Sequence, residues 1–300
     1  MDESIKLHDD SSESLDASHK LQDLLTQRFG ERFPWPEGQL SSDQTQALSA
    51  LASRASHRQW SERPVDPDLL RMLVAVALCA PSKSDLQQAE FIEVRSTAQR
   101  AAVQALVPSM PWIAQAPVLL VACGTGARFR RAFERAGQPF VNEHLDGVFN
   151  PTTDAAMALM HLLVAAGSAG LVGVPISVLR DRADELAAIL SLPAHVFPVA
   201  GVCLGYPSSS RSATPRFSLS ASLHVDRHGG AGSALDQALD AFDSRYQAFR
   251  QAHLAEGAPR AGTWSQDKTK QYAQAQRADW GAFLGRQGFA ITLGDSSSKS

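Results

Sequence analysis

The chain has 300 residues, 44% of them hydrophobic and 20% charged, with a formal net charge of −3. That balance is ordinary for a globular protein and lacks the basic excess of nucleic-acid or anionic-membrane binders, so neither partner is expected. The acidic start Met1-Asp2-Glu3-Ser4 shows no signal-peptide pattern, and cytoplasmic localisation is expected.

Residues 1–40 are rich in Ser, Asp and Glu and are expected to be a largely mobile extension, with one short helix over 21–29 before Pro34 and Pro36. The stretch 42–55 predicts a helix with Leu48, Leu51 and Ala52 on one stripe, running into Arg54-Ala55-Ser56-His57-Arg58-Gln59-Trp60. Two arginines and a serine at the end of an element suit an anion, since a charged hydrogen bond to phosphate contributes about 1.5–3 kcal/mol. Taken alone, a solvated surface cluster is the commoner reading.

Leu69, Leu70, Leu73, Val74 and Ala77 recur at helical spacing over 64–78, with Asp66 or Asp68 near the start. The loop over 79–88 packs short polar side chains after Pro81 and opens into an alternating strand over 91–94. Such a loop either holds a planar heterocycle by its edge or is an ordinary connection. A helix is expected over 97–106, and the apolar run 118–123 reads as a strand buried on both faces. Arg128, Arg130 and Arg131, in the polar stretch 124–149, are expected on a solvated face. Cys79, Cys123 and Cys203 lie far apart in apolar runs, which predicts buried thiols and neither a disulfide framework nor a zinc site.

The run 155–166 is apolar apart from His161, too uniformly so for a surface helix and too short for a membrane span of roughly 20 residues. It predicts a helix buried all round, in the core or at a dimer interface, N-capped by Thr152, Thr153 or Asp154 and ended by Gly167 and Gly170. His161 reads as a satisfied core residue. The glycines of 170–175 either admit a close approach to the backbone or make a tight turn. A helix over 178–190, a second interior strand over 196–205, a turn-rich segment with Arg216, a helix over 235–249, a Gly/Pro loop with Arg260, an amphipathic stretch over 264–289 and a tail over 294–300 complete the chain.

No GxGxxG follows a strand, and no GxxxxGK[ST], GxSxG or HExxH occurs. Glu90 and Glu93 are not spaced as a carboxylate pair. An enzymatic role would therefore lean on a cofactor.

In order and interval, Arg54-x-Ser56-x-Arg58-x-Trp60, Ala80-Pro81-Ser82-x-x-x-x-Gln87, Ala116-Pro117-Val118, Gly170-Leu171-x-Gly173, Leu204-Gly205-Tyr206-Pro207 and Pro215-Arg216 resemble the FMN-dependent nitroreductase family. Gly262-Thr263-Trp264-Ser265 and Phe283-Leu284-Gly285-Arg286-Gln287-Gly288-Phe289 resemble its oxygen-insensitive NADPH nitroreductase and flavin reductase branch. The resemblance implies an α+β fold, a mixed sheet flanked by helices, in a homodimer with a buried central helix, exchanged C-terminal segments and FMN between subunits. It divides the chain into an extension over 1–40, an FMN-binding domain over 41–230, a C-terminal extension over 231–293 that wraps the partner subunit, and a disordered tail over 294–300. It also implies ping-pong hydride transfer from NADPH or NADH through flavin N5 to a nitroaromatic, quinone or flavin acceptor. The flavin then carries the chemistry, so no catalytic side chain and no metal are expected. The same scaffold admits a flavin-binding paralogue without efficient turnover, or a dehydrogenase or dehalogenase.

By the same resemblance, Arg54, Ser56, Arg58 and Arg216 surround the FMN phosphate. Ser82 and Ser84, with Gln87, face the ribityl chain or pyrimidine edge, and backbone N–H groups around Val172 and Gly173 point at flavin N5 and O4. Ala55, Lys83, Met110 and Thr214 belong to the same cofactor-binding set, although Met110 cannot make the hydrogen bond of the polar residue it replaces. Arg260 is expected at the NADPH 2′-phosphate. Three positions depart from the pattern: Arg54 where the NADPH branch often has His, Thr214 where a lysine commonly precedes Pro-Arg, and Asp85 where Asn is common. Thr214 removes a phosphate charge, and the Asp85 carboxylate would oppose an anionic reduced ring.

Overall fold

In the computed structural model, which describes residues 10–36 and 38–291, the helices are α1 (Asp10–Phe29), α2 (Ser42–Ser53), α3 (Pro67–Leu78), α4 (Thr97–Ala105), α5 (Ala127–Arg135), α6 (Asp146–Ser168), α7 (Ala183–Leu190), α8 (Ser233–Ala252), α9 (Trp264–Gln271) and α10 (Trp280–Arg286). The strands are β1 (Ala89–Glu93), β2 (Val118–Thr125), β3 (Val172–Ile176) and β4 (Val196–Gly205). The expected tail over 294–300 lies outside the described residues. The chain forms two units, Met1–Ala55 with Ser212–Ala275 and Ser56–Arg211 with Gln276–Ser300.

The second unit is organised by the period-2 alternation of β2, which is buried along its whole length. Leu119, Val121 and Cys123 face a cluster containing Val103 of α4 and Leu186 of α7, while Val118, Leu120 and Ala122 face Leu70, Leu73 and Ala77 of α3 and Leu159, Leu162 and Leu163 of α6. Helices therefore cover both faces of the sheet, as expected of an α+β protein. The strand order is β1-β2-β4-β3. The mixed sheet implied by the resemblance has no parallel pair among the described residues, because β1–β2, β2–β4 and β3–β4 are all antiparallel. Asp66 starts α3 by accepting the N–H groups of Asp68 and Leu69, with Pro67 at the first helical position.

The central helix begins earlier than expected. α6 runs through Pro151, and Thr152 and Thr153 donate their hydroxyls to the carbonyls of Val148 and Phe149 instead of capping it. It is also not buried all round within one chain: Ala155, Leu159, Leu162 and Ala166 face the core, whereas Phe149 and Met160 are 64% and 45% exposed. The stretch 124–149, read as a polar separator, contains α5. There Arg130 is buried, not solvated, because Glu143 takes both arms of its guanidinium at 2.8 and 2.7 Å and the Phe140 and Phe289 rings flank it. Arg131, paired with Glu134, is exposed as expected. Cys123 and Cys203 are buried, and burial pushes each thiol up to about 12, but Cys79 is exposed.

The expected amphipathic stretch over 264–289 is broken into α9 and α10, which fall in different units. Of the segment expected to wrap a partner subunit, the end is buried in its own chain, with Phe283, Leu284 and Phe289 packed around Phe197, Ala183 and Ala187. Arg286 of α10 grips Asp184 of α7 through two hydrogen bonds.

In the first unit, α1 is longer than the short helix expected over 21–29. Gly30, at φ +74, turns the chain out of α1, and the Arg245 side chain of α8 lies over the space a Cβ would take. α2 starts in a capping box between Ser41 and Gln44, and its expected stripe is not buried, since Leu48 and Leu51 are 41% and 47% exposed. Phe217, Phe242 and Trp264 form the aromatic core of this unit.

Candidate functional site

The loop after α3 is fixed from α6. Asp154, 2% exposed, sits on the inward stripe of that helix and accepts three hydrogen bonds from the loop. Its Oδ2 receives the Ser82 hydroxyl at 2.8 Å and the Gln88 N–H at 3.2 Å, and its Oδ1 receives the Lys83 N–H at 2.9 Å. The Ser82 hydroxyl in turn accepts the Gln87 N–H at 2.6 Å. These bonds hold the loop in a backbone that L residues resist, with Ser84, Asp85 and Gln87 at φ +50, +57 and +52. Each such residue costs on the order of 1–2 kcal/mol, and that strain persists only because the surroundings over-determine it.

The loop walls a cavity of about 540 Å³ whose lining includes Cys79, Ser82, Gln88, Arg128, Asp154 and Ala158. Arg128 is tied to the wall, donating to the Gln87 carbonyl at 2.5 Å and pairing with Glu90 at 2.9 Å. The Gln88 Nε2 is buried without a partner, a donor available to an oxygen of a bound molecule. Asp85 receives the Gln87 side-chain amide at 3.2 Å. Lys83 and Ser84 are exposed on this loop, the lysine 3.4 Å from the serine hydroxyl.

In the first unit, Arg28, Arg54 and Arg216 form a cationic cluster. Burial first, and then the nearby Arg216 and Arg54 charges, push the Arg28 guanidinium below its ordinary range; burial and Arg216 do the same to Arg54. Arg54 Nη1 is buried with no hydrogen-bond partner. No carboxylate pairs with any of the three among the described residues. Such a set lacks its counter-charge and fits a compact dianion. Thr214 accepts Arg216 Nη1 at 2.9 Å and so orients the guanidinium.

The other expected residues are placed as follows. Ala55 ends the first unit; Ser56 and Arg58 belong to the second, where Ser56 is half-buried and exposed Arg58 lies 5.6 Å from the centre of the Trp112 ring. Met110 packs against the core below the sheet. The Val172 carbonyl accepts the Trp60 indole N–H at 3.4 Å. At Gly173 a Cβ would meet Leu204 at 2.4 Å, the Cys203 carbonyl at 3.0 Å and Leu163 at 3.1 Å, so the close approach this glycine permits is to its own sheet and α6. Arg260 is exposed and donates to Gln247 at 3.0 Å. His161 is not the satisfied core histidine expected, since its buried Nδ1 has no partner.

Asp154, Gln88, Arg128 and Arg28 were not singled out as site residues by their sequence. Two carried a readable signal. Asp154 stands four residues before Ala158 and eight before Leu162, on one helical stripe, and Arg28 stands seven after buried Leu21.

The chain belongs to the nitroreductase family: the model of that family matches residues 51–206, and that of the nitroreductase family C-terminal domain matches residues 214–292. This is a family of FMN-dependent NAD(P)H oxidoreductases, and it includes the oxygen-insensitive branch. Among similar proteins, the FMN reductase [NAD(P)H] of Bacillus subtilis strain 168 is 27% identical over 248 residues, 82% of this chain and 98% of that one. The oxygen-insensitive NADPH nitroreductase of Salmonella typhimurium is 29% identical over 245 residues, 81% and 98% of the two chains. The structure of B. megaterium NfrA2 aligns with a TM-score of 0.77 at 28% identity, covering 82% of this chain and 99% of that one.

Proposed function

We propose that this chain is an NAD(P)H:acceptor oxidoreductase that binds FMN and works by a ping-pong cycle, with nitroaromatics, quinones or free flavin as acceptors. The observation that carries the reading is the unneutralised arginine cluster. Arg54 and Arg216 present guanidinium forks to the FMN phosphate, whose charge of nearly −2 supplies what the cluster lacks, and Thr214 fixes the direction of Arg216. When bound, FMN accepts a hydride from the nicotinamide and passes it on to the acceptor.

The chain's own contribution is binding, orientation and shape. Asp154 holds the Ser82–Gln88 loop rigid, so that Ser82, Lys83 and Ser84 face the ribityl chain or ring edge without reorganising. β3 is an edge strand, so every second N–H of its backbone is free of the sheet, and the proposal turns one from the neighbourhood of Val172 and Gly173 toward flavin N5 and O4. The roles implied for Ala55, Ser56, Arg58 and Met110, and for Arg260 at the NADPH 2′-phosphate, are part of the same proposal. A second copy covers the exposed apolar stripe of α6, which makes the functional unit a homodimer with residues 233–271 available to clasp the neighbour.

The test is to reconstitute the purified protein with FMN and add NADPH, then NADH, without oxygen. Bleaching of the flavin band, reversed by a quinone or nitroaromatic, is the expected result. FMN that binds and is not bleached marks a flavin-binding paralogue, and absence of FMN binding defeats the proposal.

A further inference from the structure

We propose that Arg28, from a segment outside both regions matched by the family, completes the phosphate site by supplying the positive charge that Thr214 does not. This rests on the reading of Arg54 and Arg216 as the residues that hold the FMN phosphate.

Arg54 leaves the C-terminal end of α2, which is the wrong end of a helix for an anion, because the last carbonyls carry the negative pole of the macrodipole. Arg28 answers that problem. Only 7% exposed, it donates Nη1 to the Ala52 carbonyl and, at 3.4 Å, to the Arg54 carbonyl, and so lays a full positive charge on the helix end. The Arg216 side is tied to the same residue. Arg216 N–H donates to the Arg28 carbonyl at 2.6 Å, and Arg245 bridges the Arg28 and Arg216 carbonyls at 3.1 and 2.8 Å.

Arg28 thus joins the two strips of chain that carry the phosphate arginines, with its side chain on one and its backbone on the other. Three guanidiniums gathered with no carboxylate paired to them among the described residues repel one another, a cost that an ordinary helix cap would not require. A dianion removes it. Thr214 contributes direction to Arg216 where a lysine would contribute charge, so the third cation comes from α1.

The experiment is an equilibrium titration of the full-length apoprotein with FMN and with riboflavin, which lacks the phosphate, using wild type, R28K, R28Q and R216Q. R28Q is expected to weaken FMN binding about 10- to 50-fold, where tenfold corresponds to about 1.4 kcal/mol. It should move riboflavin binding less than twofold, and R28K should stay within a few-fold of wild type for both. Equal FMN affinity in R28Q and wild type, with R216Q impaired, overturns the role of Arg28 alone, as does an equal loss of FMN and riboflavin in R28Q. A wild type that binds riboflavin as tightly as FMN overturns the phosphate reading itself. If R28Q does not fold, arginine Nε NMR of wild-type apoprotein answers the question: the resonance missing from the R28K spectrum must shift on adding inorganic phosphate, and a static resonance overturns the proposal.

Discussion

Ser82 donates its hydroxyl to Asp154 at 2.8 Å across 72 positions of sequence, and this bond makes the shape of a surface loop a property of the core helix. Asp154→Ala leaves the Ser82 hydroxyl and the Lys83 and Gln88 N–H groups without their acceptor, which costs about 2–5 kcal/mol. Asp154→Asn turns one acceptor oxygen into a donor facing donors and costs about 1–3 kcal/mol. Urea denaturation reads both losses. The strained backbone at Ser84, Asp85 and Gln87 then relaxes, so FMN affinity should fall further in Asp154→Asn than global stability requires. An Asn variant with wild-type stability and flavin affinity would show that the loop holds itself.

Gly173→Ala tests what the glycine of β3 is for. A methyl group there meets Leu204, the Cys203 carbonyl and Leu163, and overpacking of this kind costs about 1–3 kcal/mol. Shortening the partner should recover much of the loss, so Gly173→Ala with Leu204→Val is expected to be more stable than the sum of the single changes predicts. Strict additivity would place the cost of Gly173→Ala somewhere other than the Leu204 contact.

β2 and β4 could be read directly, because apolar runs bounded by Pro and Gly and too short for a helix such as α6 fit a strand covered on both faces. The core half of α6 was equally plain, but its start was not: Pro151 favours a first turn, whereas the helix begins at Asp146 and its early turn is anchored by Val148, which packs with Phe197, Phe283 and Phe289. Arg130 was misread because charge near an aromatic-rich segment looks solvated until its acceptor, Glu143, is known to fold back over it. Arg54 and Arg216, proposed here to hold the phosphate, stood out by motif. Arg28 did not, since its partners are backbone carbonyls, which leave no trace in a sequence.

His195 should give the protein an acid-sensitive joint. Its N–H donates to the Gln287 carbonyl at 2.7 Å, its carbonyl accepts the Gly126 N–H at 2.8 Å, and its ring stands edge-on to Phe289. Burial first, then the Arg130 charge, hold the imidazole below its ordinary value of 6.5, against weaker pulls from Glu143 and a backbone bond at Gly288. A lowered folded value means that the unfolded chain binds more protons below about pH 6.5. Stability is therefore complete above that pH and is lost as pH falls toward the lowered value. Thermal melts between pH 7.5 and 5.5 should fall more steeply for wild type than for His195→Asn, which tolerates the residue's φ of +63. Parallel slopes would remove His195 as the responsible group.

Met160 tests the homodimer. Phe149, Ala156 and Met160 lie on the outer stripe of α6, and Met72 and Val76, 56% and 44% exposed, lie on α3, which packs beside α6 through Leu70, Leu73 and Ala77. An apolar surface of this kind is costly to leave in water, and a two-fold contact would set each such side chain against a second copy. Met160→Glu places a charge in that contact and is expected to weaken self-association at least 100-fold, whereas Met160→Leu, which conserves volume and polarity, should not. Sedimentation velocity across micromolar concentrations separates the two, and if each flavin lies between subunits, the Glu variant must also release FMN as it dissociates. A wild type that sediments as a monomer, or a Glu variant that remains dimeric with FMN bound, would move the interface away from α6.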